Sequence, residues 1–126
     1  MTNAYILVIP APCAFINANQ RMHWAKRSAL TKAWRQRAFI AARNAHLPHM
    51  DQPVTITATA HRDHNRGRWD ATNLAPTAKA AVDGLVDAGV LTDDSNKYLE
   101  GPDVRAGEPW ADAALVLTIR IQGESA

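Results

Sequence analysis

The longest stretch of the sequence without Gly or Pro lies between Pro12 and Pro48, and within it a helical pattern runs from about Ala25 to His46. Apolar residues recur along this run at helical spacing, namely at Leu30, Ala33, Trp34, Ala38, Ala41 and Ala45. Leu47-Pro48 ends the run, so the pattern predicts one long helix with a single apolar stripe. Such a helix must bury its stripe against a second layer of structure.

Strand patterns supply that second layer. Val54 to His61 alternates Val, Ile and Ala with Thr, and further strands are predicted at Tyr5 to Pro10, at Ala113 to Gln122 and, weakly, at Lys97 to Glu100 before the Gly101-Pro102 break. A second helix is predicted from about Pro76 to Ala88, with the proline in its first turn. The expected fold class is α+β, with residues 1–126 forming a single domain. In it a small mixed sheet packs against two main helices in the order β-α-β-α-β-β.

Composition limits where such a chain would work. A length of 126 residues with 47% hydrophobic residues is sufficient for one core without disulfides or a structural metal. The lone Cys13 has no partner for an internal bridge, which favours a reducing, cytoplasmic location. No stretch approaches the ~20 apolar residues that a membrane span needs, so no membrane partner is expected.

The charges are unevenly distributed along the chain. The first fifty residues carry seven Lys or Arg and no Asp or Glu, whereas the remainder carries seven Lys or Arg and all twelve acids. This asymmetry predicts a polyanionic partner on one side and a site built from carboxylates on the other. The alternative is a solvated helix face that simply lacks acids.

Aspartates flank the second predicted helix. Asp70 precedes it, while Asp93 and Asp94 follow it, so the two groups meet only if the chain folds back along the helix or the loops converge over the sheet. Clustered carboxylates without His or Cys suit Mg²⁺, with Mn²⁺ as a substitute, and Lys79 would stabilise charge in a phosphoryl transition state. The alternative is that these aspartates are turn and cap residues.

The order of these residues resembles a known family. The motif residues, grouped along the chain, are Asp70, Asn73 and Leu74, then Lys79, Asp83 and Leu85, then Ala88 to Leu91, and finally Asp93-Asp94. In this order they resemble the signature of the RusA family of Holliday junction resolvases, especially its phage-encoded branch. The flanking strands and the basic first helix also resemble the family layout, so the resemblance covers nearly the whole chain.

The resemblance implies a RusA-like fold and a homodimeric, Mg²⁺-dependent endonuclease that binds four-way DNA junctions and nicks two opposed strands. It implies catalytic roles for Asp70, Asp94 and Lys79, with Asp70 and Asp94 as the principal metal ligands. Thr72 stands where the family has a second aspartate, and Ala75-Pro76-Thr77 lengthens the spacing to Lys79. Either Asp83 or Asp93 would replace the missing ligand, or the enzyme is impaired.

Several basic and aromatic residues are candidates for DNA contact. The candidates nearest to the predicted site are Arg62, Arg66, Arg68 and Trp69. A basic track of further phosphate contacts would extend from them along Arg21, Lys26, Arg27, Lys32 and Arg35. Trp34 is assigned to the core because it lies on the apolar stripe. His61 and His64 have the spacing of metal ligands but lack the further Cys or His of a zinc site, so we interpret them as exposed loop histidines. Cys13 is interpreted as a small buried apolar residue.

Two other functions fit the same residues. A catalytically degenerate protein that binds branched DNA would keep the basic surface and would have lost chemistry with the second aspartate. A metal-dependent phosphohydrolase of nucleotides would turn over small phosphoesters and bind DNA weakly. The acid-free first fifty residues favour the DNA-directed functions over the nucleotide-directed one.

Overall fold

The structure is a computed structural model, and it describes residues 4–122. It confirms the α+β class and the order of elements predicted from the sequence. The elements are β1 (Ala4–Pro10), α1 (Trp24–Asn44), β2 (Val54–His61), α2 (Ala75–Asp87), β3 (Leu99–Ala106) and β4 (Ala114–Ile121). A short 3-10 helix, Ala71–Leu74, leads directly into α2. Within residues 4–122, no helix is long and apolar enough to cross a bilayer.

The four strands form one mixed sheet in the order β1-β4-β2-β3. β4 lies antiparallel between β1 and β2, whereas β3 runs parallel to β2. Because side chains alternate along a strand, one face of the sheet is apolar and buried, with Ile9, Ile56 and Leu117 fully inside. The opposite face carries Thr57 and Thr118 beside each other in register, and it stays partly open to solvent.

Both helices cover the apolar face of the sheet. The buried residues of α1 are Trp34, Ala38 and Ala42, which follow the predicted stripe. The helices cross at Gly84 of α2, where an added Cβ would collide with the carbonyl oxygen of Arg35 on α1. The glycine therefore permits backbone-to-backbone approach, and a larger residue would push the two helices apart.

β3 is the one strand whose predicted bounds were wrong. The weak strand expected at Lys97 to Glu100 is instead Leu99–Ala106, and it continues through the Gly101-Pro102 pair that was expected to break it. The pairing register with β2 shifts between Thr55 and Thr57, next to this pair. An irregularity of this kind accommodates a proline in an edge strand, where its missing N–H faces away from the neighbouring strand.

Three chain segments meet at one end of the strands. Pro10 and His61, the last residues of β1 and β2, both lie opposite Ala114, the first residue of β4. Residues 11–23, 62–70 and 107–113 therefore leave or enter the sheet at this end of its strands. Asp70 and the basic residues around it lie here.

Candidate functional site

Residues 11–23 are held against the helices by buried hydrogen bonds. The Thr77 hydroxyl accepts from the Ile16 backbone N–H at 2.7 Å and donates to the Ile16 carbonyl at 2.9 Å, with both residues fully buried. The Trp34 indole N–H donates to the Ala14 carbonyl at 2.9 Å. Trp34 is thus a core residue, as predicted, and it also fixes the segment that precedes α1.

This anchoring brings residues 11–23 next to Asp70. The Ala18 N–H donates to the Asn73 carbonyl at 2.7 Å, which joins the segment to the 3-10 helix. An open cleft of about 830 Å³ lies between them. We call it the Asp70 cleft. It is lined by Asn17, Asn19, Arg62, Asn65, Gly67, Arg68, Trp69, Asp70 and Asn73. One carboxylate therefore shares a cleft with two guanidinium groups and several amides.

Arg62 and Trp69 form the inner wall of the cleft. The Arg62 guanidinium lies over the Trp69 ring, 4.4 Å from its centroid, and also donates to the Arg66 carbonyl at 3.0 Å. Stacking on an indole holds a guanidinium in a defined plane and leaves its edges free to donate hydrogen bonds. Trp69 is half-buried against the core, so the loop has a fixed aromatic base beneath its cations.

Asp70 caps the 3-10 helix. Its Oδ1 accepts from the Thr72 backbone N–H at 3.0 Å and from the Thr72 hydroxyl at 2.7 Å. These two donors lower the pKa of Asp70 below its ordinary value because they stabilise the carboxylate form. Both bonds fall on Oδ1, so Oδ2 is the oxygen available to a ligand. Thr72, at the position of the family's second aspartate, thus serves as a donor to Asp70.

A second group of charges surrounds Lys79. Its ammonium lies 2.7 Å from an Asp94 oxygen and 3.5 Å from an Asp83 oxygen. The chain after α2 therefore does fold back along the helix, which was the condition for bringing Asp94 towards the start of α2. We call these three residues the Lys79 cluster. The Asp94 carboxylate raises the pKa of Lys79, and the ammonium in turn lowers the pKa of Asp94.

Asp93 lies beside the cluster and faces its own turn. Hydrogen bonds from the Ser95 side chain and from its backbone N–H, the latter at 2.7 Å, lower the pKa of Asp93. Of the two candidates to replace the ligand missing at position 72, Asp83 shares the Lys79 ammonium with Asp94, whereas Asp93 acts as a turn cap.

The carboxylates match Mg²⁺ in donor type but not in grouping. Asp70, Asp83 and Asp94 offer only hard oxygen donors, which is the chemistry that Mg²⁺ prefers. Among residues 4–122, however, no three His, Cys, Asp or Glu side chains are grouped closely enough to hold a metal ion. The donor types fit Mg²⁺ although the residues form no group of three, and Asp83 and Asp94 both contact the ammonium of Lys79.

The predicted basic track divides into separate parts. Arg27 donates to the Asn17 carbonyl at 3.3 Å and so touches the edge of the Asp70 cleft. Arg21, before α1, and Lys26, in the first turn of α1, are both exposed. Lys32 lines a different groove, beside Asp87. Arg35 is held there by both Asp87 oxygens at 2.6 and 2.8 Å, which lowers the pKa of Asp87. That pair ties α1 to α2.

His61 is not an exposed loop histidine, which corrects our interpretation. It is 8% exposed, its ring stacks on Trp110 at 3.6 Å between centroids, and its Nδ1 lies 2.8 Å from the Glu108 carbonyl. A Cβ at Gly107 would collide with the His61 ring. Aromatic stacking from residues 107–113 therefore buries the end of β2 just before Arg62.

His64 is half-buried and accepts from the Arg66 N–H at 3.2 Å, so it helps to shape the loop. Cys13 is likewise only half-buried, and burial raises the pKa of its thiol. A raised thiol pKa means little thiolate near neutrality, so Cys13 is suited to packing rather than to nucleophilic chemistry.

Sequence reasoning missed Thr77 and Asn65 as parts of this region. A single threonine at the start of a helix carries no periodic signal, and in the motif comparison Ala75-Pro76-Thr77 is only an insertion that lengthens the spacing to Lys79. A β-branched polar residue on the apolar side of α2, among Ala78, Ala81 and Val82, was the signal that could have identified a buried anchor.

The comparisons add no family assignment, since no family model and no curated protein matches this chain. The RusA resemblance stays a prediction made from the motifs.

Proposed function

We propose that this chain is a Mg²⁺-dependent, structure-specific endodeoxyribonuclease that resolves Holliday junctions or other branched DNA by paired nicks. The observation that carries the proposal is the Asp70 cleft, in which one carboxylate with a lowered pKa lies among Arg62, Arg68 and several amide side chains. Guanidinium groups and amides bind phosphate oxygens, and a carboxylate beside them can hold a cation against the same phosphate.

The proposed chemistry belongs to the carboxylates and to Lys79. Asp70 and Asp94 are the principal metal ligands in this proposal, and Asp83 completes the set because it shares the Lys79 ammonium with Asp94. When bound, Mg²⁺ would supply activation of water and neutralisation of the leaving oxygen. Lys79 holds Asp94 near α2, and its ammonium is a second positive group for the scissile phosphate.

The protein residues also position the DNA. Arg62, fixed over Trp69, and Arg68 would bind backbone phosphates at the cleft, while Arg27, Lys26 and Arg21 extend the positive surface towards α1. Two opposed nicks at a junction need two equivalent sites, which a two-fold dimer would supply.

Cleavage of a labelled mobile four-way junction tests the proposal. Wild-type protein and Asp70→Asn are compared in Mg²⁺, Mn²⁺ and EDTA, with linear duplex as a second substrate. We expect paired symmetrical nicks that require the metal, and no nicks from Asp70→Asn, which should bind the junction as tightly as wild type or more tightly. Asp51→Asn is the matched control, because it makes the same charge change on an exposed residue outside the cleft. Absence of cleavage by wild type in either metal would contradict the nuclease.

Phosphate contact is tested separately by the salt dependence of junction binding. Arg68→Ala should reduce the slope of log affinity against log salt by about 0.9, the value for one lost phosphate contact on duplex DNA. Arg120→Ala, on the open face of the sheet, should leave the slope unchanged. Equal slopes for wild type and Arg68→Ala would remove Arg68 from the interface.

A second candidate function is a branched-DNA-binding protein that has lost catalysis. Two observations favour it: Thr72 occupies the position of a carboxylate, and residues 4–122 contain no group of three metal-ligating side chains. Thr72→Asp discriminates between the two functions. A large gain in Mg²⁺-dependent cleavage would support the degenerate protein, whereas no gain or a loss would favour a site rebuilt around Asp83.

A further inference from the structure

The four tryptophans differ in how far their rings are covered. Trp34 is fully buried, and the rings of Trp69 and Trp110 each stack against a neighbouring side chain. Trp24, the first residue of α1, is 76% exposed, more than any other large apolar side chain among residues 4–122. Tryptophan is enriched at binding interfaces, because one ring offers both a large apolar face and an N–H donor.

His23 supports one side of this exposed ring. The two rings stack with their centroids 5.6 Å apart. His23 Nδ1 accepts a hydrogen bond from the Ala25 backbone N–H at 3.1 Å, which fixes the imidazole as the N-cap of α1. Trp24 is therefore backed by an anchored ring and is open to a further flat group. A ring that is ordered in advance loses little side-chain entropy when it binds.

The surroundings of Trp24 are cationic rather than apolar. Arg21 and Lys26 are exposed, and the first fifty residues contain no Asp or Glu. The other exposed residues close to Trp24 in sequence are small or polar, namely Gln20, His23, Ala25 and Ser28. A protein interface would need a broad apolar patch and a membrane-surface helix would need an exposed apolar face, whereas the apolar stripe of α1 is buried. A single ring among cations instead matches a nucleic-acid strand, whose bases are flat and whose phosphates are anionic.

Arg27 connects this ring to the Asp70 cleft. It lies three residues after Trp24, about 4.5 Å along the helix axis, and residues at this spacing are neighbours on the helix surface. The Arg27 guanidinium donates to the carbonyl of Asn17, which lines the cleft. A DNA strand that leaves the cleft past Arg27 would therefore meet the Trp24 ring next.

We propose that Trp24 stacks on an unpaired base of the DNA strand that leaves the Asp70 cleft, with Arg21 and Lys26 beside the phosphates of that strand. The inference rests on the proposed function for its choice of branched DNA as the ligand, but it involves neither the metal nor the cleavage step. Base faces are free where strands separate at a branch, and they are covered by neighbouring base pairs inside a duplex. Trp24 therefore favours DNA with unpaired bases over fully paired linear duplex.

Binding to single-stranded DNA in EDTA tests the stacking without cleavage. The probes are an oligothymidylate and a strand of the same length that lacks bases. Trp24→Ala should weaken binding to the oligothymidylate about 5- to 150-fold, the range that corresponds to the loss of one stacked base. The same substitution should not change binding to the abasic strand or to fully paired linear duplex.

Three further variants separate stacking from general apolar contact. Trp24→Phe keeps a flat ring and should keep most of the affinity for oligothymidylate, whereas Trp24→Leu should lose as much as Trp24→Ala. Ile40→Ala is the matched control, because it removes a side chain that is 42% exposed on the same helix and has no ring. It should bind both probes like wild type.

Equal affinities of wild type and Trp24→Ala for oligothymidylate would overturn the inference while leaving the nuclease intact. Equal losses on oligothymidylate and on the abasic strand would also overturn it, since the ring would then contact the backbone. So would a Trp24→Ala protein that binds DNA normally but no longer adsorbs to vesicles of phosphatidylserine and phosphatidylcholine. A wild type that binds no DNA would overturn both proposals, whereas Trp24-dependent binding without junction cleavage would support the stacking and reject the nuclease.

Discussion

The Asp70 cleft and the Lys79 cluster are held in place by different forces. The cleft depends on hydrogen bonds between fully buried groups, in which Thr77 fixes both polar groups of the Ile16 backbone. The cluster depends on ion pairs at the surface, where the side chains of Lys79 and Asp94 are 65% and 42% exposed. Buried hydrogen bonds resist rearrangement, whereas exposed ion pairs are weak and screened by salt.

If the protein is the proposed nuclease, the difference predicts separate roles for the two regions. A cleft with a fixed shape suits the binding of a backbone phosphate, because its donors need no reorganisation when the ligand arrives. The weak ion pairs of the cluster would let Asp83 and Asp94 leave the ammonium at little cost, so that they could join Asp70 as ligands of a cation. The following substitutions separate the two regions, starting with the largest expected effect.

Thr77→Val should destabilise the protein most. It keeps the shape of the side chain but leaves the buried N–H and carbonyl of Ile16 without partners, at about 1–3 kcal/mol for each group. We expect a loss of about 2–5 kcal/mol in the free energy of unfolding, measured by urea denaturation. Thr77→Ser retains the hydroxyl and should lose less than about 1.5 kcal/mol. A Thr77→Val protein as stable as wild type would show that the cleft is not anchored from within.

Lys79→Met should have a much smaller effect on stability, under about 1 kcal/mol, because both ion pairs are largely exposed. The pKa of Asp94 should rise towards its ordinary value, since the ammonium is the main cause of its lowering. Carbon-detected NMR titration of the Asp94 carboxyl measures this directly. In wild type the lowering should weaken in 1 M salt, and in Lys79→Met that salt dependence should disappear.

The stability contributed by the ion pair of Lys79 and Asp94 is lost at both low and high pH. Because the pKa of Asp94 is lower in the folded protein than the value near 3.8 in the unfolded chain, the ionised Asp94 stabilises the fold above pH 3.8. This stabilisation is lost as the pH falls through the pKa of the folded state. The raised pKa of Lys79 stabilises the fold below about 10.5, and this is lost as the pH rises through the higher folded pKa. Stability curves of wild type and Lys79→Met should therefore converge below pH 4 and above pH 10.5. A constant difference across the whole range would assign the effect to packing.

Of the three substitutions, Thr72→Val should change the free energy of unfolding least. It removes the hydroxyl that donates to Asp70 Oδ1 and keeps the backbone N–H, so the pKa of Asp70 should rise but stay below its ordinary value. The shift should be insensitive to salt, because the lost donor is neutral. Thr72→Ser should keep the wild-type titration. An Asp70 carboxyl that titrates identically in wild type and in Thr72→Val would show that the hydroxyl does not act on it.

The fold was largely predictable because its strands and helices carry clear periodic patterns. The alternation in Val54–His61 and the apolar stripe around Trp34 and Ala38 each led to the observed element. β3 was mislocated because Gly101-Pro102 and three charged residues hide its pattern, and its pairing depends on β2 rather than on its own sequence. Strand order was not predictable, since periodicity says which face is buried but not which strand is the neighbour.

The candidate site was predictable only in part. Charge distribution and motif order identified Asp70, Arg62 and Arg68, which share one cleft. The contact between Lys79 and Asp94 depends on how the chain returns after α2, and no local pattern encodes that path. The role of His61 was hidden because its stacking partner, Trp110, lies far away in sequence.

The position of β4 has a consequence for the order of folding. Among residues 4–122, β4 is the last strand, yet it is the only one that pairs with β1, which contains the first described residues. During synthesis, Ala4–Pro10 has no native strand partner until residue 121 has left the ribosome. Such distant pairing slows folding and leaves an uncharged strand exposed on the nascent chain. Ala4–Pro10 is therefore the segment most in need of protection while the protein is being made.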